Sequence, residues 1–141
     1  MTNKGELMKS KQWLYGIVFS VFSLNVYAEL DCNNAMNTLE INACAEQEQQ
    51  KVEQKLNQTY KAVMQMMSQP DLPGMSFAAV KKDLLESQRA WITFRKKDCD
   101  ALYDFYIDGS IRNVVYISCM KKHAERRIDD LDRYLSGSTL K

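Results

Sequence analysis

Histidine occurs once, at His123, and proline only twice, at Pro70 and Pro73. Any Ser-His-Asp arrangement would therefore have to use His123, and no serine sits in a nucleophile-elbow sequence. The five glycines are scattered, so no glycine-rich loop is available to cradle a phosphate. Strand-like alternation is almost absent. Charge of one sign is also missing: 19 basic residues face 18 acidic ones, a net of +1. That balance argues against a nucleic-acid or membrane-surface protein, which would carry a basic excess. The apolar run Trp13 to Leu24 is twelve residues long, whereas a membrane span needs about 20. These absences leave no legible catalytic centre, and the chain is not expected to be an enzyme or to carry a cofactor or metal.

The N-terminus has the layout of an export signal. Lys4, Lys9 and Lys11 precede the apolar run, and Val26 and Ala28 place small residues before a cleavage point. Residues 1–28 are thus expected to be a signal peptide and 29–141 the working domain. Asp31 beside Cys32 does not fit the small-residue rule for lipid attachment, so no stable membrane insertion is expected after cleavage. Three basic residues and one acid, Glu6, precede residue 29, which leaves the remaining chain at a net charge of −1. Its 113 residues suffice for one domain of modest core.

Three long helical patterns fill that domain. The first opens at Asn37, where Asn37 and Glu40 resemble a capping box. Apolar or small residues then recur at Ile41, Ala45, Val52, Leu56, Thr59, Val63 and Met66, the spacing of one buried stripe. Pro70 and Pro73-Gly74 end it. The second is expected from Ser76 to about Tyr106, with Leu84, Gln88, Trp91, Phe94 or Arg95, Cys99 and Leu102 along its stripe. Asp108-Gly109 breaks the pattern, and the third runs from about Ser110 to Leu135. Short breaks between long helices imply antiparallel neighbours, so the expected fold is all-α, a small up-down-up bundle.

Cys32, Cys44, Cys99 and Cys119 follow the export signal, and an oxidising compartment favours bridging. Four cysteines allow three connectivities. In a hairpin turning at Gly109, residues equidistant from the turn face each other, and Cys99 and Cys119 satisfy that condition. Cys44 lies about two turns into the first helix, within reach of a strand-like lead from Cys32 to Met36. The expected bridges are Cys32–Cys44 and Cys99–Cys119. Cys99, Cys119 and His123 could instead supply three zinc ligands, but an even cysteine count in an exported chain favours disulfides. His123 is expected on the surface of the third helix.

Gln88, Trp91 and Arg95 share one helix face. Trp91 is expected to anchor the core while Gln88 and Arg95 hydrogen-bond neighbouring helices, a structural role. The blocks Cys32…Ala35…Cys44, Leu56-Asn57-x-x-Tyr60 and Leu85-x-x-Gln88-Arg89-Ala90-Trp91-x-x-Phe94-Arg95-x-x-x-Cys99 occur in order. With Gly109-Ser110, Cys119, Arg127 and Leu131, they resemble the lysozyme inhibitor LprI-like N-terminal domain family. The resemblance covers nearly all of the chain from Cys32 to Leu135. It implies an all-α, disulfide-stabilised domain of the bacterial cell envelope, periplasmic or secreted, whose named activity is inhibition of lysozyme. The family's namesake is a lipoprotein, whereas this chain is expected to be released by cleavage.

An inhibitor of a glycan hydrolase must plug a cleft whose working groups are carboxylates. The tip between the second and third helices suits that task. Ser110 and Arg112 could donate to the carboxylates, Tyr106 could add an aromatic contact, and Asp108 with Asp100 and Asp104 could steer a cationic lysozyme. Other expectations are an immunity protein against a peptidoglycan-degrading toxin and a structural or assembly factor of the envelope.

Overall fold

The structure is a computed structural model that describes residues 30–137. The expected signal segment lies outside the described residues. Three helices account for most of the rest: α1, Thr38–Met66; α2, Phe77–Phe105; and α3, Arg112–Gly137. Among the described residues there is no strand, only an isolated bridge between Leu72 and Met75.

Helix starts follow the sequence signals. The Asn37 side chain accepts from the Glu40 N–H at 3.0 Å, satisfying one of the donors that the first turn leaves open. Glu40 returns its carboxylate to the N–H of Met36 at 2.9 Å, one residue earlier than in a standard capping box. The lead to α1 is not strand-like. It is a pair of turns, with Cys32 N–H donating to Leu30 and Asn34 N–H to Asp31, because the Asp31 side chain also draws in Asn33 and Asn34. At the other end of α1, Gly74 adopts φ +77°, a left-handed turn that L side chains rarely adopt. Asp71 then accepts from Ser76 Oγ at 2.9 Å and Phe77 N at 2.8 Å, joining Ser76 in capping α2.

The helices run up, down and up. Cys99 and Cys119, equidistant from Gly109, meet across α2 and α3, and farther from the tip Gln88 meets the long side chain of Arg127. Helix α3 lies close to both partners, most extensively to α1. The apolar core joins Leu56, Val63 and Met67 to Leu84 of α2 and to Ala124 and Leu131 of α3. It occupies the half of the bundle nearest the α1–α2 turn.

Both expected bridges form, Cys32–Cys44 and Cys99–Cys119, with Cα separations of 5.6 and 5.7 Å. Other details depart from the sequence reading or settle what it left open. Ile41 heads the α1 stripe yet is exposed, because α1 has no buried neighbour there. Arg95, not Phe94, takes the inward position, and Phe94 is 59% exposed. His123 is buried, not superficial, since it fills the space beside the Cys99–Cys119 bridge.

Candidate functional site

The residues that mark the second helix make internal contacts. The Arg95 guanidinium carbon lies 5.1 Å from the centre of the Trp91 ring, and that of Arg127 lies 5.9 Å away. Trp91 is thus flanked by two cations, each attracted to the negative face of its ring. Arg95 also pairs with Glu53 of α1 and points Nε at the sulfur of Met120, 3.4 Å away. Arg127 donates to Gln88 Oε1 at 2.9 Å and to Ser87 Oγ at 3.2 Å. Gln88 and Arg95 are buried polar groups, and their partners meet the requirement that such groups be hydrogen-bonded. Sequence reasoning gave the face but not Glu53, which looks like any other acid of an exposed helix stretch.

The tip places Tyr106, Asp108, Ser110 and Arg112 within one tight turn. Gly109 N–H donates to the Tyr106 carbonyl at 2.8 Å. A Cβ on Gly109 would sit 3.3 Å from that same oxygen, so the close approach favours glycine. Arg112 is engaged within the tip. It donates through Nε to the Tyr103 hydroxyl at 3.2 Å and through its terminal nitrogen to the Ile107 carbonyl at 3.0 Å. Tyr106, Asp108 and Ser110 are exposed. Asp100 is tied to Lys96 at 2.6 Å.

Around these polar groups stand apolar side chains that the sequence reading passed over. Phe105 is 79% exposed, and Ile107 and Ile111 are about half exposed. Leu102 and Tyr106 are also exposed, and the rings of Phe105 and Tyr106 meet edge to face at 5.1 Å. A signal was available: Phe105 ends α2 and Ile111 precedes α3, so both flank the turn, where no third helix is at hand to cover them. The Cys99–Cys119 bridge sits below this group and ties the two stems of the tip together.

On the face formed by α2 and α3, a groove of about 380 Å³ is lined by Asp98, Leu102, Val114, Ser118, Lys122 and Arg126, with His123 and Cys119 deeper in it. His123 Nε2 lies 2.8 Å from Asp98 Oδ2, and Phe94 packs edge-on against the imidazole. One ligand-capable atom from each of Cys99, Cys119 and His123 falls within 4.8 Å of the others. With the bridge closed, the sulfurs are not thiolates and cannot serve as a ligand pair. The described residues offer no membrane span, since no helix among them is long and apolar enough to cross a bilayer.

Comparisons with known proteins identify relatives of this chain. An uncharacterized protein of Rhizobium meliloti (strain 1021) is 25% identical over 114 residues, which covers 78% of this chain and 82% of that protein. No solved structure matches. Residues 31–131 match the family described as lysozyme inhibitor LprI. That segment runs from the first cysteine loop through the Trp91 network and both bridges to the core residue Leu131, so the chain belongs to the lysozyme inhibitor LprI family.

Proposed function

We propose that this chain binds and inhibits a lysozyme outside the cytoplasm, with the α2–α3 tip as the inserting element. The observation that carries the reading is the exposed apolar group Phe105, Tyr106, Ile107 and Ile111 on a turn whose stems are cross-linked. Exposed apolar side chains held on a rigid support lower the ordering cost of binding and suit a concave partner. Asp108 and Ser110 rim that surface and would supply charge steering and a hydrogen-bond donor. Arg112 serves differently from the simplest expectation. Its two internal hydrogen bonds make it a strut that shapes the tip. Gln88, Trp91 and Arg95 serve as scaffold in this reading, and no residue is assigned a catalytic role. Two disulfides and the family agree with an extracytoplasmic chain.

The test is a cell-wall lysis assay with purified protein beginning at Glu29 against chicken-type, goose-type and invertebrate-type lysozymes. Inhibition of at least one is expected. Phe105→Ala with Ile107→Ala should weaken it about tenfold or more, as loss of a hot spot does, with the helical circular dichroism signal unchanged. Ser110→Ala should have a smaller effect. No inhibition of any of the three at micromolar protein would overturn the reading. Full inhibition by the tip variant would move the binding surface elsewhere.

A further inference from the structure

The buried cluster beside the groove brings a disulfide and a histidine together. Cys99 and Cys119 hold α2 to α3 from positions 0% and 7% exposed, and His123, one helical turn beyond Cys119, is 8% exposed. Their ligand-capable atoms already lie within 4.8 Å of one another. Around a tetrahedral zinc ion, with Zn–S near 2.3 Å and Zn–N near 2.0 Å, neighbouring ligand atoms sit roughly 3.3–3.8 Å apart. Rotation of side chains whose Cα atoms are 5.7 Å apart suffices to reach that spacing once the sulfurs are free of each other.

We propose that the reduced chain binds one thiophilic divalent cation of the zinc type through Cys99, Cys119 and His123. The helix hairpin then has two alternative staples, a disulfide when oxidised and a metal when reduced. Two further observations fit a ligand set. Asp98 holds His123 Nε2 at 2.8 Å, which leaves Nδ1 for the metal. A carboxylate on the far ring nitrogen is the arrangement that fixes the tautomer of a metal-bound histidine. Cys119 and His123 also line the open groove between α2 and α3, which gives an ion a path of entry and leaves a fourth position for water.

The redox step balances with a dithiol as reductant. One thiolate of the dithiol attacks a sulfur of the Cys99–Cys119 bridge, and its second thiol resolves the mixed disulfide. The dithiol leaves as a cyclic disulfide, and Cys99 and Cys119 leave as two thiols. Binding of the cation then releases both thiol protons to solvent. Oxidation reverses the sequence and expels the ion, because bonded sulfurs cannot span two corners of a tetrahedron.

The inference is independent of lysozyme binding and is tested without a lysozyme. A chain with Cys32→Ser and Cys44→Ser, so that only the buried pair reacts, is reduced with a phosphine and titrated with Co²⁺. Expected are the visible bands of tetrahedral cobalt and a near-ultraviolet thiolate charge-transfer band, saturating at one ion per chain and displaced by Zn²⁺. The oxidised chain should give neither. His123→Ala should abolish the tetrahedral spectrum, and Asp98→Asn should weaken binding about 10–100-fold. Absence of the bands in the reduced chain, or the same bands after Cys99→Ser with Cys119→Ser or after His123→Ala, overturns the proposal. If reduction melts the helices, return of helicity on adding Zn²⁺ supports it and failure to return overturns it.

Discussion

The two halves of the bundle are held by different means. Towards the α1–α2 turn, order comes from burial: Val63 and Leu131 have no exposed surface, Leu84 has almost none, and Met67 and Ala124 close around them. Towards the α2–α3 tip, order comes from cross-links and buried charge. Both disulfides lie there, together with the Arg95–Glu53 pair and the His123–Asp98 contact. Phe105, Ile107 and Ile111 remain outside. The half that folds by burial exposes its outer apolar residues only in part, Leu72 and Tyr134 to about 40%, whereas the half fastened by covalent bonds leaves Phe105 79% exposed. In the proposed reading, stability and recognition are thus separated along the chain.

The sharpest way to break this division is to open a cavity in the apolar half. Leu131 has no exposed surface and belongs to the cluster that joins all three helices. Leu131→Ala should cost about 2–5 kcal/mol in urea-induced unfolding. The same variant, assayed below its lowered melting temperature, should inhibit a lysozyme as well as the parent. Equal loss of stability and inhibition would show that the halves are not separable.

Removing the bridges should cost somewhat less. Loop entropy assigns about 3.3 kcal/mol to a separation of 20 residues and about 2.8 kcal/mol to one of 12, the separations of Cys99–Cys119 and Cys32–Cys44. The two should therefore differ little in unfolding free energy when each pair is changed to alanine. They should differ clearly in inhibition. Loss of Cys99–Cys119 frees the stems of the tip, whereas loss of Cys32–Cys44 loosens a turn and the first turns of α1. Comparable losses of inhibition in both variants would undo the assignment of the tip.

Much of this was legible in the sequence. Helix number, boundaries and both bridges followed from apolar spacing, two breaks, the symmetry of Cys99 and Cys119 about Gly109 and the short reach from Cys32 to Cys44, because these are local or mirror relations along one chain. One residue that escaped depended on how α1 sits against the hairpin, and two others on contacts within the hairpin itself. Glu53 becomes the partner of Arg95 only when α1 is placed beside α2, and a spacing rule within one helix cannot supply that. His123 looked like a surface residue because it stands alone among charged neighbours, yet the bridge and Phe94 enclose it. Arg112 looked like a donor to a partner, and its hydrogen bonds within the chain, to the Tyr103 hydroxyl and the Ile107 carbonyl, could not be read from spacing because those acceptors are placed by the turn itself. The tip was proposed as a binding place from the sequence, while its exposed apolar side chains emerged from the structure.

The smallest expected effect probes the turn of the apolar half through pH. The Ser76 hydroxyl, with the N–H groups of Ala78 and Phe77, holds the Asp71 carboxyl below its ordinary value. On lowering the pH the unfolded chain therefore takes up this proton first. The contribution of Asp71 is complete above the unfolded pKa and is lost as pH falls through the folded one. Asp71→Asn keeps the shape but weakens acceptance of those hydrogen bonds. Its melting temperature should lie slightly below the parent's at neutral pH, and the gap should close as the pH falls below the ordinary aspartate range. Glu40, lowered by the Met36 N–H and the Asn37 side chain, offers the matching probe at the other end, where the Cys32–Cys44 bridge already fixes the start of α1. Glu40→Gln should therefore shift the melting curve less than Asp71→Asn, since a covalent closure leaves a cap less to hold. The reverse order would mean that the cross-linked half still relies on its caps.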